Sequence, residues 1–244
     1  MIRTIILLIL TLSNISLAQE YEFDDTFIAE NFKLLNSIDS ELAGSISPII
    51  EKRLVLDLKD SSSFYSPLTK LSKYVTIKTS EDSLVKTYSW DRINGGSWHD
   101  MASYIQYKTS SGKIKHLRLD TGDETGTGEP TSVIIYDVFH IKTKNESLYL
   151  LLGWGTYGSG KHHSLARVYK IIDNDIVLCD TIFGGKKYIF AGANRGDKIN
   201  LEYDSKLKQL SYFSYEFDDD IGFYKREQHK ETWLFKSGKF VKED

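Results

Sequence analysis

One cysteine, three prolines and no excess of basic residues in 244 positions rule out several classes of protein. A single thiol cannot close an internal disulfide, so packing and hydrogen bonds must hold the chain. Cys179 sits in the apolar run Ile176-Val177-Leu178-Cys179-Asp180, which reads as a strand and predicts a buried, inert side chain rather than a catalytic thiol with a neighbouring base. Long apolar runs are also lacking. The one clear stretch, Ile5 to Leu12, is too short for a bilayer crossing of ~20 residues.

That stretch has another reading. Arg3 provides a positive start, and Ser16-Leu17-Ala18 places small residues at both positions read by a signal peptidase. Residues 1–18 are expected to be a signal peptide and the mature chain to begin at Gln19. Removing them takes away Arg3 and leaves 30 basic against 34 acidic residues, a formal charge of −4. This balance, with signs interleaved and no basic stripe, argues against a nucleic-acid partner. No integral membrane segment is expected after removal of the signal, and the localisation implied is the periplasm, the cell surface or the extracellular space.

What is abundant is aromatic residues, with fifteen Tyr and twelve Phe, which suit the half-buried faces of extended structure. Helical periodicity is confined to the first third. Ile28, Phe32, Leu35, Ile38 and Leu42 recur at spacings of three and four, predicting one amphipathic helix of about five turns that ends near Gly44. Ser47-Pro48 and Ser66-Pro67 each read as a cap followed by a first helical residue, with a polar loop, Lys59 to Ser63, between them. From Lys73 onward six hairpins are legible around short polar turns, giving about twelve strands. The expected architecture is a helical segment, 19–72, followed by an antiparallel β domain, 73–244, built as a hairpin meander in a barrel or a strongly curved sheet. A propeller would need more blades than twelve strands supply. Asn145-Glu146-Ser147 has the pattern of a glycosylation acceptor at a hairpin tip.

Several stretches carry chemistry-bearing residues. Gly155, Gly160 and Lys161 have the spacing of a phosphate-binding loop, but position 162 is His, and a strand-like run follows where a helix is needed. The stretch from Gly153 to His163 reads instead as a glycine-rich connection in which Trp154 or Tyr157 could stack on a sugar or an aromatic group, with His162 and His163 beside them. Adjacent histidines on a strand face opposite sides, which argues against a shared metal. Asp120 to Glu129 holds four carboxylates and three glycines. Its order does not match a calcium loop, so it reads as a solvated acidic loop. No metal and no cofactor is expected, because no set of ligand residues has the spacing of a closed site.

The densest stretch is Tyr88-Ser89-Trp90-Asp91, then Asn94-Gly95-Gly96, then Trp98-His99-Asp100. The Asn-Gly turn brings Asp91 towards His99 and Asp100, and a His beside carboxylates suits general acid–base work. No Gly-x-Ser-x-Gly element accompanies it. The run from Ser80-Glu81-Asp82 to Tyr88-Ser89-Trp90-Asp91, then Gly95-Gly96, with the strands Val168 to Ile171 and Leu201 to Asp204, resembles uncharacterised exported proteins of Bacteroidota from about residue 60 to the end. The resemblance implies a compartment, the periplasm or cell surface, and no mechanism. The expected role is therefore a non-catalytic binding or envelope-associated protein for a glycan, peptide or envelope component. Its candidate ligand residues are Trp90, Asp91, Trp98, His99, Trp154, Tyr157, His162 and His163. The alternative is a hydrolase of envelope or extracellular polymers using Asp91, His99 and Asp100.

Overall fold

The computed structural model describes residues 23–94, 99–120, 131–156 and 158–243. The signal segment, Trp98, Tyr157 and residues 121–130 of the acidic loop lie outside them. The described chain is mainly β, with thirteen strands in three antiparallel sheets behind a helical segment. The first sheet contains β1 (Thr76–Thr79), β2 (Val85–Asp91), β3 (Met101–Lys108) and β4 (Ile114–Arg118) in sequence order. The middle sheet contains β5 (Ile134–Lys142), β6 (Ser147–Thr156), β7 (Lys161–Ile172) and β8 (Asp175–Leu178), and β9 (Tyr188–Asn194) pairs with the outer half of β7. The last sheet contains β10 (Glu202–Asp204), β11 (Gln209–Asp218), β12 (Phe223–Lys236) and β13 (Lys239–Lys242). The hairpin meander expected from the sequence is present, divided into three contiguous pieces.

Strand alternation explains how the pieces stack, because successive residues point to opposite faces. In β2 and β3 the even-numbered Tyr88, Trp90, Ala102 and Tyr104 pack with the helices, while Val85, Ile105 and Tyr107 pack with Tyr149, Leu151 and Leu165 of the middle sheet. On β6 and β7 the even-numbered Leu148, Leu150, Leu152, Ala166 and Val168 join Leu210, Tyr212, Trp233 and Phe240 of the last sheet. The order of layers is therefore helices, first sheet, middle sheet, last sheet. A sheet buried on both faces loses the clean apolar–polar alternation of a one-sided sheet, and β6 reads Leu148-Tyr149-Leu150-Leu151-Leu152 accordingly.

The helical segment differs from the sequence expectation. Instead of one helix there are two, α1 (Thr26–Leu35) and α2 (Ser40–Asp57). The break comes from local capping: Asn36 Nδ2 donates to the Phe32 carbonyl at 2.8 Å, and the Asp39 carboxylate accepts from Leu42 N at 2.9 Å to start a new helix. With the phase reset, Ala43, Ile50 and Leu54 form the buried side of α2 and Leu42 turns outward. Pro48 lies inside α2 rather than at a start. The expected polar loop begins a short helix, α3 (Ser61–Tyr65), which Asp60 caps through Ser62 N at 2.9 Å. Ser66 ends that helix instead of opening another. Buried Lys86 ties α3 down by donating to the carbonyls of Phe64 and Ser66 at 2.5 and 2.8 Å, and burial pulls its pKa down to about 8.

Candidate functional site

The β2–β3 connection departs from the edge of the first sheet with its ladder intact, Arg92 N donating to the Asp100 carbonyl at 2.9 Å. Asp91 then does two things. One carboxylate oxygen accepts from Ile93 N at 2.9 Å, holding Ile93 at a positive φ of 57°, an unusual conformation for a β-branched residue. The other meets His99 Nδ1 at 2.5 Å. A carboxylate only accepts, so Nδ1 carries a proton, and in the neutral ring Nε2 is then the acceptor. Among the described residues Nε2 has no hydrogen-bond partner, and the His99 side chain is 44% exposed.

Asp100 goes elsewhere. It belongs to an ion-pair cluster around Arg92, which is almost fully enclosed. Arg92 makes a two-bonded contact with Glu51 of α2 at 2.8 and 3.1 Å, reaches Asp100 at 2.8 Å and Asp120 at 2.7 Å. Arg118 embraces Asp120 through two bonds of 3.0 Å, and Tyr104 donates to Glu51 at 2.7 Å. Three carboxylates thus share two guanidinium groups. Burial opposes ionisation of Glu51 and Asp120, and these partners outweigh it, so both carboxyls titrate below their ordinary values. Asp100 and Asp120 are structural members of this cluster. Asp100 is not a free acid beside His99, and Asp120, the only described member of the acidic loop, has its carboxylate committed to arginine.

The stretch from Gly153 to His163 is less of a loop than its glycines suggest. Gly153 to Thr156 continue β6, and Lys161 to His163 begin β7, paired as Thr156–His162 and Gly155–His163. The glycines serve close packing. A Cβ on Gly155 would lie 2.2 Å from the Ser132 carbonyl, and one on Gly153 would lie 2.6 Å from Val133 Cγ2. Gly155→Ala is accordingly expected to cost about 1–3 kcal/mol or more by overpacking against backbone, read as a lowered urea midpoint. An unchanged midpoint would mean that the 131–134 segment shifts freely.

His162 and His163 face opposite sides, as alternation requires. His163 is buried, its ring 5.5 Å from that of Phe190. His162 accepts from Trp154 Nε1 at 3.0 Å through Nδ1, which leaves Nε2 to donate to the Asp197 carbonyl at 2.9 Å. Trp154 is 38% exposed, its indole N–H spent on His162 and part of its ring open to solvent. Trp90 is a correction to the sequence reading. It lies in the core, stacked on Tyr104 at 5.8 Å and edge-on to Phe32 at 5.3 Å, where no surface ligand reaches it. Cys179 is half-buried, and burial raises its thiol pKa to about 11, a poor nucleophile at neutral pH.

The two candidate stretches, more than fifty residues apart in sequence, meet. His99 N donates to Thr156 Oγ1 at 3.0 Å, and Thr156 pairs with His162, which holds Trp154. The His99 end of the first sheet therefore meets the Thr156–His162 end of the β6–β7 hairpin, while Trp154, on the even-numbered face of β6, lies on the side of the middle sheet that faces the last sheet. Thr156 escaped the sequence reading because a lone Thr carries no signal of its own. Among the described residues no group of three or more His, Cys, Asp or Glu is placed to hold a metal ion, and no helix is long and apolar enough to cross a membrane. No family model, curated protein or solved structure matches the chain.

Proposed function

We propose that this chain is an exported, non-catalytic binding protein whose ligand is a glycan, held at the edge where the 91–99 and 154–162 stretches join. The observation that carries the reading is the His99–Thr156 contact, which brings the Asp91-held imidazole to the end of the β6–β7 hairpin that also bears the partly exposed Trp154. A Trp face stacks on the apolar face of a sugar ring, and Asp91, His99 and Thr156 supply acceptors and donors for its hydroxyls. The test is titration calorimetry of the chain from Gln19 with oligosaccharides and peptidoglycan fragments. Trp154→Ala is expected to weaken capture at least tenfold, while costing about 1 kcal/mol of stability through the lost His162 bond. Full affinity in Trp154→Ala would remove this reading.

One observation favours hydrolysis as a second reading: the Asp91-held tautomer of His99, with Nε2 open, is the arrangement of a general base that activates water. Turnover of the same oligosaccharides, abolished in His99→Gln with capture retained, would make the protein an enzyme. Capture without turnover supports the binding role.

A further inference from the structure

Arg167 of β7 is nearly as enclosed as Arg92 and lacks its carboxylates. It is 9% exposed, and its Nη1 donates to the Leu119 carbonyl at 3.1 Å and to the Tyr169 hydroxyl at 3.2 Å. Among the described residues no carboxylate stands within ion-pair distance of it; Asp120, next to Leu119, is committed to Arg92 and Arg118. The Arg167 Nε–H is buried without a hydrogen-bond partner, and so is the hydroxyl of Ser103, a fully buried residue of β3. Both side chains line a cavity of about 10 Å³ between the first and middle sheets, walled otherwise by Tyr169 and by aliphatic groups such as Ile135, Leu151 and Leu165. A space of this size takes one small species and no organic molecule.

We infer that this cavity binds a single halide ion, chloride being the common one, as the counterion of Arg167. The donors decide between an anion and a water. Arg167 Nε only donates, and the Tyr169 hydroxyl, which accepts from Arg167, keeps its own proton to give. A water would need acceptors for two protons and would meet a largely aliphatic wall, whereas a halide accepts from every donor present and brings the negative charge that a buried guanidinium requires. Phosphate and carboxylate anions exceed the space. Ser103 belongs to the first sheet and Arg167 to the middle one, so the ion clamps the two layers together. Arginine stays protonated at every ordinary pH, and the site therefore holds its ion in mild acid and mild base alike.

Thermal melts of the chain from Gln19 test this, with sodium chloride exchanged for sodium gluconate at constant ionic strength. Raising chloride about 100-fold from the low millimolar range is expected to lift the melting temperature by about 5 °C or more, because an ion bound only by the folded state stabilises it by mass action. Bromide should act as chloride does, and the response should be the same on either side of neutral pH. Arg167→Met removes the cation at similar length and should abolish the halide response. Ser103→Ala, which deletes one hydroxyl and is the check should Arg167→Met fail to fold, should raise the half-saturating chloride concentration about tenfold. A wild-type melting temperature indifferent to chloride would overturn the proposal and leave water as the occupant. So would a chloride response kept in full by Arg167→Met or by Ser103→Ala.

Discussion

Arg92→Met is expected to lower the stability of the protein by about 3–5 kcal/mol at neutral pH, the usual cost of removing one partner from buried charges. The side chain is replaced by one of similar length, so the loss is electrostatic: Glu51, Asp100 and Asp120 keep their places and lose their shared cation. The pH dependence carries the signature. Glu51 and Asp120 have folded pKa values below the ordinary ones, so their contribution is present in full above the unfolded values near ~4 and disappears as pH falls through the folded ones. In the variant, protonation relieves carboxylates left with fewer partners, Asp120 keeping Arg118 and Glu51 keeping Tyr104. Urea melts at pH 7 and pH 3 should therefore show the gap between wild type and variant narrowing in acid. A loss below about 1 kcal/mol at pH 7 would mean that water already solvates these groups.

Trp90→Ala should be comparably damaging, about 3–5 kcal/mol, because transfer and cavity terms both apply to a large buried ring. Trp90 is 3% exposed between Phe32 of α1 and Tyr104 of β3, so it fastens the helical layer to the first sheet. Trp90→Phe retains most of the contact with Phe32 and should lose less than half as much. Thermal melts decide between a core anchor and a ligand residue. If Trp90→Ala melts with wild type but loses ligand, its place is at the surface.

How much of this was legible depends on the range of the interaction that fixes each feature. Hairpins are local, and Ser110-Ser111-Gly112 and Asp173-Asn174 announce their turns. β9 gave no such signal, since Tyr188-Ile189-Phe190-Ala191-Gly192 has a glycine in it and no short turn to a paired neighbour; its partner is the outer half of β7. The first half of β12, Tyr224 to Lys230, is polar on both faces, and its pairing with β11 sets it as a strand. The helix break at Asn36 to Asp39 lost to periodicity because a run of apolar spacings spans it, while the decisive term is the Asp39 cap. In the site, Asp91 and His99 were suggested by the Asn-Gly turn between them. Arg92 draws Glu51 from 41 residues upstream and Asp120 from 28 downstream, and single-sequence spacing holds no trace of such partners.

The layer order sets a schedule for the chain as it emerges N-terminus first. Each sheet is contiguous in sequence, so the helices and first sheet can form once residue 120 or so has emerged, from contacts that are short in sequence. The middle sheet follows with its two apolar faces, one closing on the first sheet at once. The other, with Leu148, Leu150, Leu152, Ala166 and Val168, has to wait for Leu210 to Phe240. During that interval the nascent protein displays a broad apolar sheet surface, the kind that recruits holdase chaperones or pairs with another chain. A product that stops near residue 195 keeps that surface permanently, and aggregation, rather than simple loss of activity, is the fate its architecture prescribes.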